Sequence, residues 1–209
     1  MTTKGIVIGG DNLAVDDGVQ LAYLSGRCPD QSLRLGDGAV VRSGSVVYAG
    51  ARIGDRFASG HNVVIREECA LGDDVAVWSN SVVDYGCVIG HRVKIHTNCY
   101  VAQFTVLEDD VFLAPGVSIA NDLYPGDSHS ADVMAGPVIE AGAQIGVGAT
   151  LLPYVRIGAG AIIGSGSVVS RDVPPGMVAF GNPARVHRAV SDLPPIEDRA
   201  PVDHPLLGD

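Results

Sequence analysis

Residues 35–119 divide into blocks of six with no residue gained or lost: LGDGAV VRSGSV VYAGAR IGDRFA SGHNVV IREECA LGDDVA VWSNSV VDYGCV IGHRVK IHTNCY VAQFTV LEDDVF LAPGVS, then Ile119. Every block opens on an aliphatic residue, from Leu35, Val41 and Val47 to Leu107, Leu113 and Ile119, except the block that opens on Ser59. Two residues before each opening comes a small or β-branched residue, among them Ala39, Ser45, Cys69, Val75, Ser81, Cys87, Cys99, Thr105 and Val117; Phe57 is the bulky exception. Side chains two apart on a strand point the same way, so each block supplies one large and one small inward residue. A period of six fits neither the 3.6 of a helix nor the alternation of a hairpin meander. It predicts a strand wound into a coil.

Columns at spacing eighteen carry the same message. Gly26, Gly44, Asn62, Asn80, Asn98 and Gly116 form one, and Gly and Asn tolerate positive φ. Gly36, Gly54, Gly72, Gly90 and Glu108 form a second, and Asp37, Asp55, Asp73, His91 and Asp109 a third, read as a solvated row of turn residues. The pattern resembles the hexapeptide-repeat acyltransferases, in which three hexads make one triangular coil of a left-handed parallel β-helix, an exception to the usual right-handed crossover. The resemblance implies an all-β chain of about seven coils over residues 35–183. Residues 1–34 are read as an N-terminal cap or first coil, with Gly5–Gly10 as a capping strand. Residues 184–209 are read as a short helix, Ala184 to Leu193, followed by an acidic, Pro-rich tail. The beat fails at one place inside the repeat, the loop 121–138, and resumes at Ile139.

Composition agrees with a narrow prism. Gly supplies 27 of 209 residues, and aromatic residues only 5%. A formal charge of −10 argues against nucleic acid and anionic membrane as partners. No stretch reads as transmembrane, and the first residues lack a signal peptide's basic start and apolar core, so the expected location is cytoplasmic. Cys69, Cys87 and Cys99 occupy the small inward slot and are read as free thiols.

Two segments carry the functional reading. Val169-Ser-Arg-Asp-Val-Pro-Pro-Gly-Met-Val-Ala-Phe-Gly-Asn-Pro-Ala-Arg-Val resembles the C-terminal signature of the coenzyme A-dependent members of the family. Between residues 171 and 188 stand three Arg against one acid, Asp172, a local cationic excess in an acidic chain. The resemblance implies Arg171, Pro183, Arg185 and Arg188 as residues binding acetyl-coenzyme A, or another acyl-coenzyme A, as co-substrate, with no metal. Asn121-Asp122-Leu123-Tyr124-Pro125 resembles the Thr-Asn-Asp-x-x-Pro-Arg motif of N-acetyltransferases acting on nucleotide-linked amino sugars, with Ala120 in place of the Thr and Gly126 in place of the Arg.

That resemblance implies Asn121, Asp122, Asn98 and His96 as the catalytic set, Tyr124 and His129 as contacts to the small-molecule amine acceptor, and a homotrimer whose sites lie between prisms. Asn98 precedes Asn121 by twenty-three residues, as an Asn does in the amino-sugar enzymes. It also belongs to the Gly/Asn corner column. Three other readings stand beside this one: an O-acetyltransferase with His96 as general base, a metalloenzyme resembling the γ-class carbonic anhydrases through His91 and His96, and a non-catalytic trimeric scaffold. For the metalloenzyme, none of the places for a third ligand, Tyr48, Gly54, Gly60, Arg66, Gly72, Trp78 and Asp84, is a His.

Overall fold

The computed structural model describes residues 5–195. The chain winds through three flat faces in strict rotation. Face I begins with Ile6–Gly9 and Ser32–Leu35, face II with Ala14–Val15 and Val40–Val41, and face III with Gln20–Tyr23 and Val46–Tyr48. Each strand pairs in parallel with the strand one coil on, as in Val82 with Val64 and Tyr100 on face III. The result is a left-handed parallel β-helix. Faces I and III each hold eight rungs, one more than the seven expected, because Ile6–Tyr23 already forms a coil.

The hexad beat is a packing rule. Block-opening residues such as Ile65, Ile95, Leu107 and Leu113 are fully buried, and so are the small partners Ala39, Val63, Val93 and Val117. Each large aliphatic side chain withdrawn from water contributes about 1.5–3 kcal/mol. Phe57 is also fully buried. Cys69, Cys87 and Cys99 are buried free thiols; Cys69 Sγ donates to the Asp84 carbonyl at 3.0 Å and Cys87 Sγ to the Ala102 carbonyl at 3.2 Å. The neighbouring Cys69 thiol, and then burial, push the Cys87 thiol far above its ordinary range, which leaves it inert.

Corners explain the columns. At the corner between faces II and III, Gly44, Asn62, Asn80, Asn98 and Gly116 all take positive φ, between 56° and 77°. Gly26 does not belong with them. The first coil pairs Gln20 with Val46, twenty-six residues on rather than eighteen, so residues 24–31 are an eight-residue excursion and Gly18 is the true neighbour of Gly44. At the corner between faces I and II the Gly column has no positive φ; a Cβ on Gly72 would lie 2.9 Å from the Gly90 carbonyl carbon, so close backbone approach selects Gly there. The Asp column is a ladder as well as a solvated row. Asp55 Oδ1 accepts from the Asp37 N–H, Asp73 Oδ1 from Asp55, His91 Nδ1 from Asp73, and Asp109 Oδ1 from His91, each at 2.9–3.0 Å.

The C-terminal segment departs from expectation. Ala184–Ala189 is a β-strand, antiparallel to Met177–Gly181, and only Val190–Asp192 makes a helical turn, of 3₁₀ type. Ala184–Ala189 covers Met177–Gly181, the last parallel rung of face II, which would otherwise present a bare strand edge. The Pro-rich tail from residue 196 lies outside the described residues.

One buried ion pair ties the first excursion to the coil. Glu67 is 0% exposed; it accepts from Arg66 Nε at 2.8 Å and from Ser25 Oγ at 2.8 Å, and Arg27 Nε lies 3.9 Å away. Burial acts to raise the Glu67 pKa, but the bonds from Arg66 and Ser25 outweigh it and hold the carboxyl below its usual range. Its stabilising contribution is therefore full above the unfolded value of about 4.3 and is lost as pH falls through the lower folded value. Glu67→Gln should cost about 3 kcal/mol at neutral pH, the low end for a broken buried pair because Arg66 still reaches solvent. It should also flatten the acid limb of the stability curve. Denaturant titrations from pH 3 to 7 check both, and equal loss at every pH would refute the linkage.

Candidate active site

Both interruptions of the repeat leave from one corner, between faces III and I. Residues 24–31 emerge there low in the stack, and residues 121–137 emerge higher up. The upper loop adds fourteen residues to its coil, since Leu107 pairs with Ile139 at a separation of thirty-two instead of eighteen. It closes on itself: the Asn121 carbonyl accepts from the Ala135 N–H at 3.0 Å, and Gly136 passes so close to Thr105 that a Cβ would lie 2.6 Å from the Thr105 Cα. Tyr154 Oη, from the next coil, donates to the Val133 carbonyl. Within the loop, Ser130–Val133 forms one helical turn.

The loop begins with the residues the sequence singles out. Asn121 is 9% exposed, and its Nδ2 donates to Gln103 Oε1 at 2.7 Å. Its Oδ1 has no donor among the described residues, and no buried side-chain oxygen is left unpaired there, so Oδ1 opens to solvent. Asp122 Oδ1 accepts from the Tyr124 N–H at 2.7 Å, an Asx turn that directs the chain outward. Tyr124 and His129 are exposed and line a hollow of about 270 Å³ with Asp127, Ser130 and Val133. His129 Nδ1 lies 3.5 Å from Asp127 Oδ1.

His96 and Asn98 occupy the corner between faces II and III, across the full width of face III from Asn121. The five steps of chain from residue 98 to residue 103 span that width, about 16 Å at strand rise. Within one chain the four catalytic candidates therefore form two groups. The His96 ring stacks on Trp78 with centroids 4.2 Å apart and touches Phe112 at 4.9 Å; no side-chain hydrogen bond or carboxylate orients it among the described residues. The Asn98 side chain makes no hydrogen bond there either, whereas Asn62 Nδ2 donates to Asn80 Oδ1 in the same column. His91 sits at the corner between faces I and II, in the Asp ladder, so the two histidines of the metalloenzyme reading face different corners. Among the described residues no three His, Cys, Asp or Glu side chains converge on a cation site.

Arg171 stands on the corner that carries Asn121, two coils further along. Pro183, Arg185 and Arg188 are exposed on the terminal hairpin, and none of the three Arg is paired with a carboxylate among the described residues. His187 stacks on Phe180 with ring centroids 3.6 Å apart, giving the hairpin a flat aromatic surface beside its cations.

Sequence reasoning missed a row of polar residues beneath the loop. Asp84 is 6% exposed; its Oδ1 receives Arg66 Nη1 at 3.4 Å and the Tyr85 N–H at 2.8 Å, and its Oδ2 receives Tyr100 Oη at 2.8 Å and Gln103 Nε2 at 2.7 Å. Burial, and then the bond to Asp84, push the Tyr100 hydroxyl up to about 12, so it stays a donor. Tyr85 meets Phe104 edge-on at 5.4 Å and carries the Arg27 guanidinium 3.6 Å above its ring. The available signal was a column: where face I is followed by Gly36, Gly54, Gly72 and Gly90, face III is followed by Tyr48, Arg66 and Asp84.

Comparison with known proteins adds three findings. The family model described as bacterial transferase hexapeptide (six repeats) matches residues 136–171. A serine acetyltransferase of Salmonella typhimurium is 39% identical over 99 residues, 46% of this chain and 34% of that protein; a galactoside O-acetyltransferase of Lactococcus lactis is 46% identical over 54 residues, 26% of each. The chain thus spans about a third and about a quarter of the length of these two relatives. Among solved structures, the UDP-N-acetylglucosamine acyltransferase from Campylobacter jejuni superposes with a TM-score of 0.56 at 19% identity, over 86% of this chain and 73% of that one, a likeness of fold. Residues 136–171 thus match the bacterial transferase hexapeptide repeat, and the parallel β-helix that contains them shares its fold with the Campylobacter jejuni acyltransferase.

Proposed function

We propose that the chain is an acyl-coenzyme A-dependent N-acyltransferase, using acetyl-coenzyme A and acting on the amino group of a small molecule, a nucleotide-linked amino sugar. The observation that carries this reading is the start of the loop. Asn121 offers an open carbonyl oxygen, Asp122 follows it in an Asx turn, and neither is hydrogen-bonded to an imidazole among the described residues. A neutral amine attacks a thioester with its own lone pair, so orientation, worth several powers of ten, can replace a strong base. Asn121 Oδ1 and the outer oxygen of Asp122 accept from the amine N–H groups, a backbone N–H at a coil corner donates to the oxyanion, and the proton leaves with the departing thiol. The acetyltransferase names of the relatives support the acyl-transfer class, and the galactoside enzyme among them favours a second reading, transfer to a hydroxyl with His96 as base. The packing of His96 flat on Trp78 and tilted against Phe112, with no orienting carboxylate among the described residues, speaks for the amine.

Coenzyme A is a polyanion, and Arg171, Arg185 and Arg188 with Pro183 are the residues assigned to it. Arg185→Glu should raise the KM for acetyl-coenzyme A about tenfold and leave the acceptor KM unchanged, since a phosphate contact equal in ground and transition states affects binding alone. Initial rates at varied donor concentration check this; an unaltered donor KM would move the coenzyme elsewhere. Thiol release from acetyl-coenzyme A, screened over amines and alcohols, tests the function itself, and a better alcohol than any amine would select the second reading.

A further inference from the structure

The hydrogen-bonded row beneath the loop has a direction, and the direction is set at one end. Asp84 accepts four hydrogen bonds and donates none. Gln103 must therefore turn its Nε2 toward Asp84, at 2.7 Å, which leaves its Oε1 facing the loop. Asn121 must then turn its Nδ2 toward Gln103, also at 2.7 Å, which leaves its Oδ1 facing out. Two carboxamides in series thus carry the acceptor character of a carboxylate out to the mouth of the loop. Neither amide can rotate without setting two donors or two acceptors against each other.

We propose that Asp84 and Gln103 are positioning residues that fix the Asn121 carbonyl as the hydrogen-bond acceptor presented to the attacking amine. This role rests on the N-acylation reading and adds to it a pair of residues that never touch substrate. It makes an unusual demand on mutation. In Asp84→Asn, the Tyr85 N–H and Arg66 hold the new Oδ1, so Nδ2 faces Gln103; Gln103 turns over, Asn121 turns over, and an N–H replaces the carbonyl at the site. In Asn121→Asp, a carboxylate meets Gln103 Oε1, acceptor against acceptor. In the double variant, Gln103 turns over once and donates Nε2 to one oxygen of the carboxylate introduced at position 121, whose other oxygen faces the amine.

Each single variant should lose about 10–100-fold in kcat with little change in the KM for acetyl-coenzyme A, on the scale of a lost positioning contact, and the double variant should recover to within about fivefold of wild type. A double variant as poor as the product of the two single losses would overturn the relay, because a merely structural Asp84 gives no rescue. A second readout works without turnover: the Asn121 side-chain amide protons, assigned in the NMR spectrum by their loss in Asn121→Asp, should exchange slowly in the wild type and rapidly in Asp84→Asn. If the wild type acylates no amine, the functional reading fails, and exchange alone then decides the relay, with equal rates in the two proteins overturning it. Should Asp84→Asn not fold, Gln103→Met takes its place; loss of kcat together with loss of Asn121 protection supports the relay, and retention of either overturns it.

Discussion

Asp122→Asn should lower kcat/KM by a factor of about 10–10³, and His96→Ala should lower it by less. The asymmetry follows from what each side chain holds. Asp122 uses Oδ1 to accept the Tyr124 N–H, a bond that an Asn carbonyl reproduces, so the substitution keeps the Asx turn and the path of the loop. What it removes is the second acceptor oxygen and the charge that the proposed mechanism sets beside the amine. His96, by contrast, is a packed ring whose loss opens a gap between Trp78 and Phe112 at a corner remote from Asn121 in the same chain. Steady-state rates with the best amine acceptor, together with a thermal melt for each variant, separate chemistry from stability. Abolished turnover in His96→Ala, with the melt unchanged and Asp122→Asn active, would identify His96 as the base of an O-acyltransferase.

The fold was legible because the core is one side chain wide. Every coil repeats one packing problem, so the large residue in Val77, Ile95 and Leu113 and the small one in Val75, Val93 and Val111 recur on schedule. Where the schedule is reset, local reading fails. Gly26 lies eighteen residues before Gly44, yet the excursion 24–31 shifts the register by eight and puts it on another corner. Ala184–Ala189 has residues common in helices, but face II ends in a strand edge whose N–H and C=O groups need partners, and that tertiary demand wins. The loop could be located from sequence, and Asn121 and Asp122 with it. The support beneath it could not: Arg66 and Asp84 enter the sequence reading only as places that lack a third His, Gln103 does not enter it, and only coil stacking brings Asp84 onto Gln103 and Gln103 onto Asn121.

Mixing two variants that are nearly inactive alone should restore activity. The separation of Asn98 from Asn121 by the width of face III requires, if both serve one site, that they come from different chains, as in a closed threefold ring with a cleft at each contact. Asn98→Gly removes a side chain that bonds to nothing among the described residues while keeping a residue suited to its φ of 60°. Asn121→Leu keeps the side-chain volume and removes the carbonyl. If both side chains make transition-state hydrogen bonds, each variant alone should turn over at about 1% of wild type. In trimers reassembled from equal amounts, a site is intact when its loop comes from an Asn98→Gly chain and its opposing corner from an Asn121→Leu chain. Random assortment makes that about one site in four, so the mixture should reach about a quarter of wild-type activity. Reassembly after mild denaturation, followed by sedimentation and a thiol-release assay, measures it. Activity equal to the mean of the two parents would mean that Asn98 and Asn121 do not share an intersubunit site, and full activity of Asn98→Gly alone would return Asn98 to its role as a corner residue.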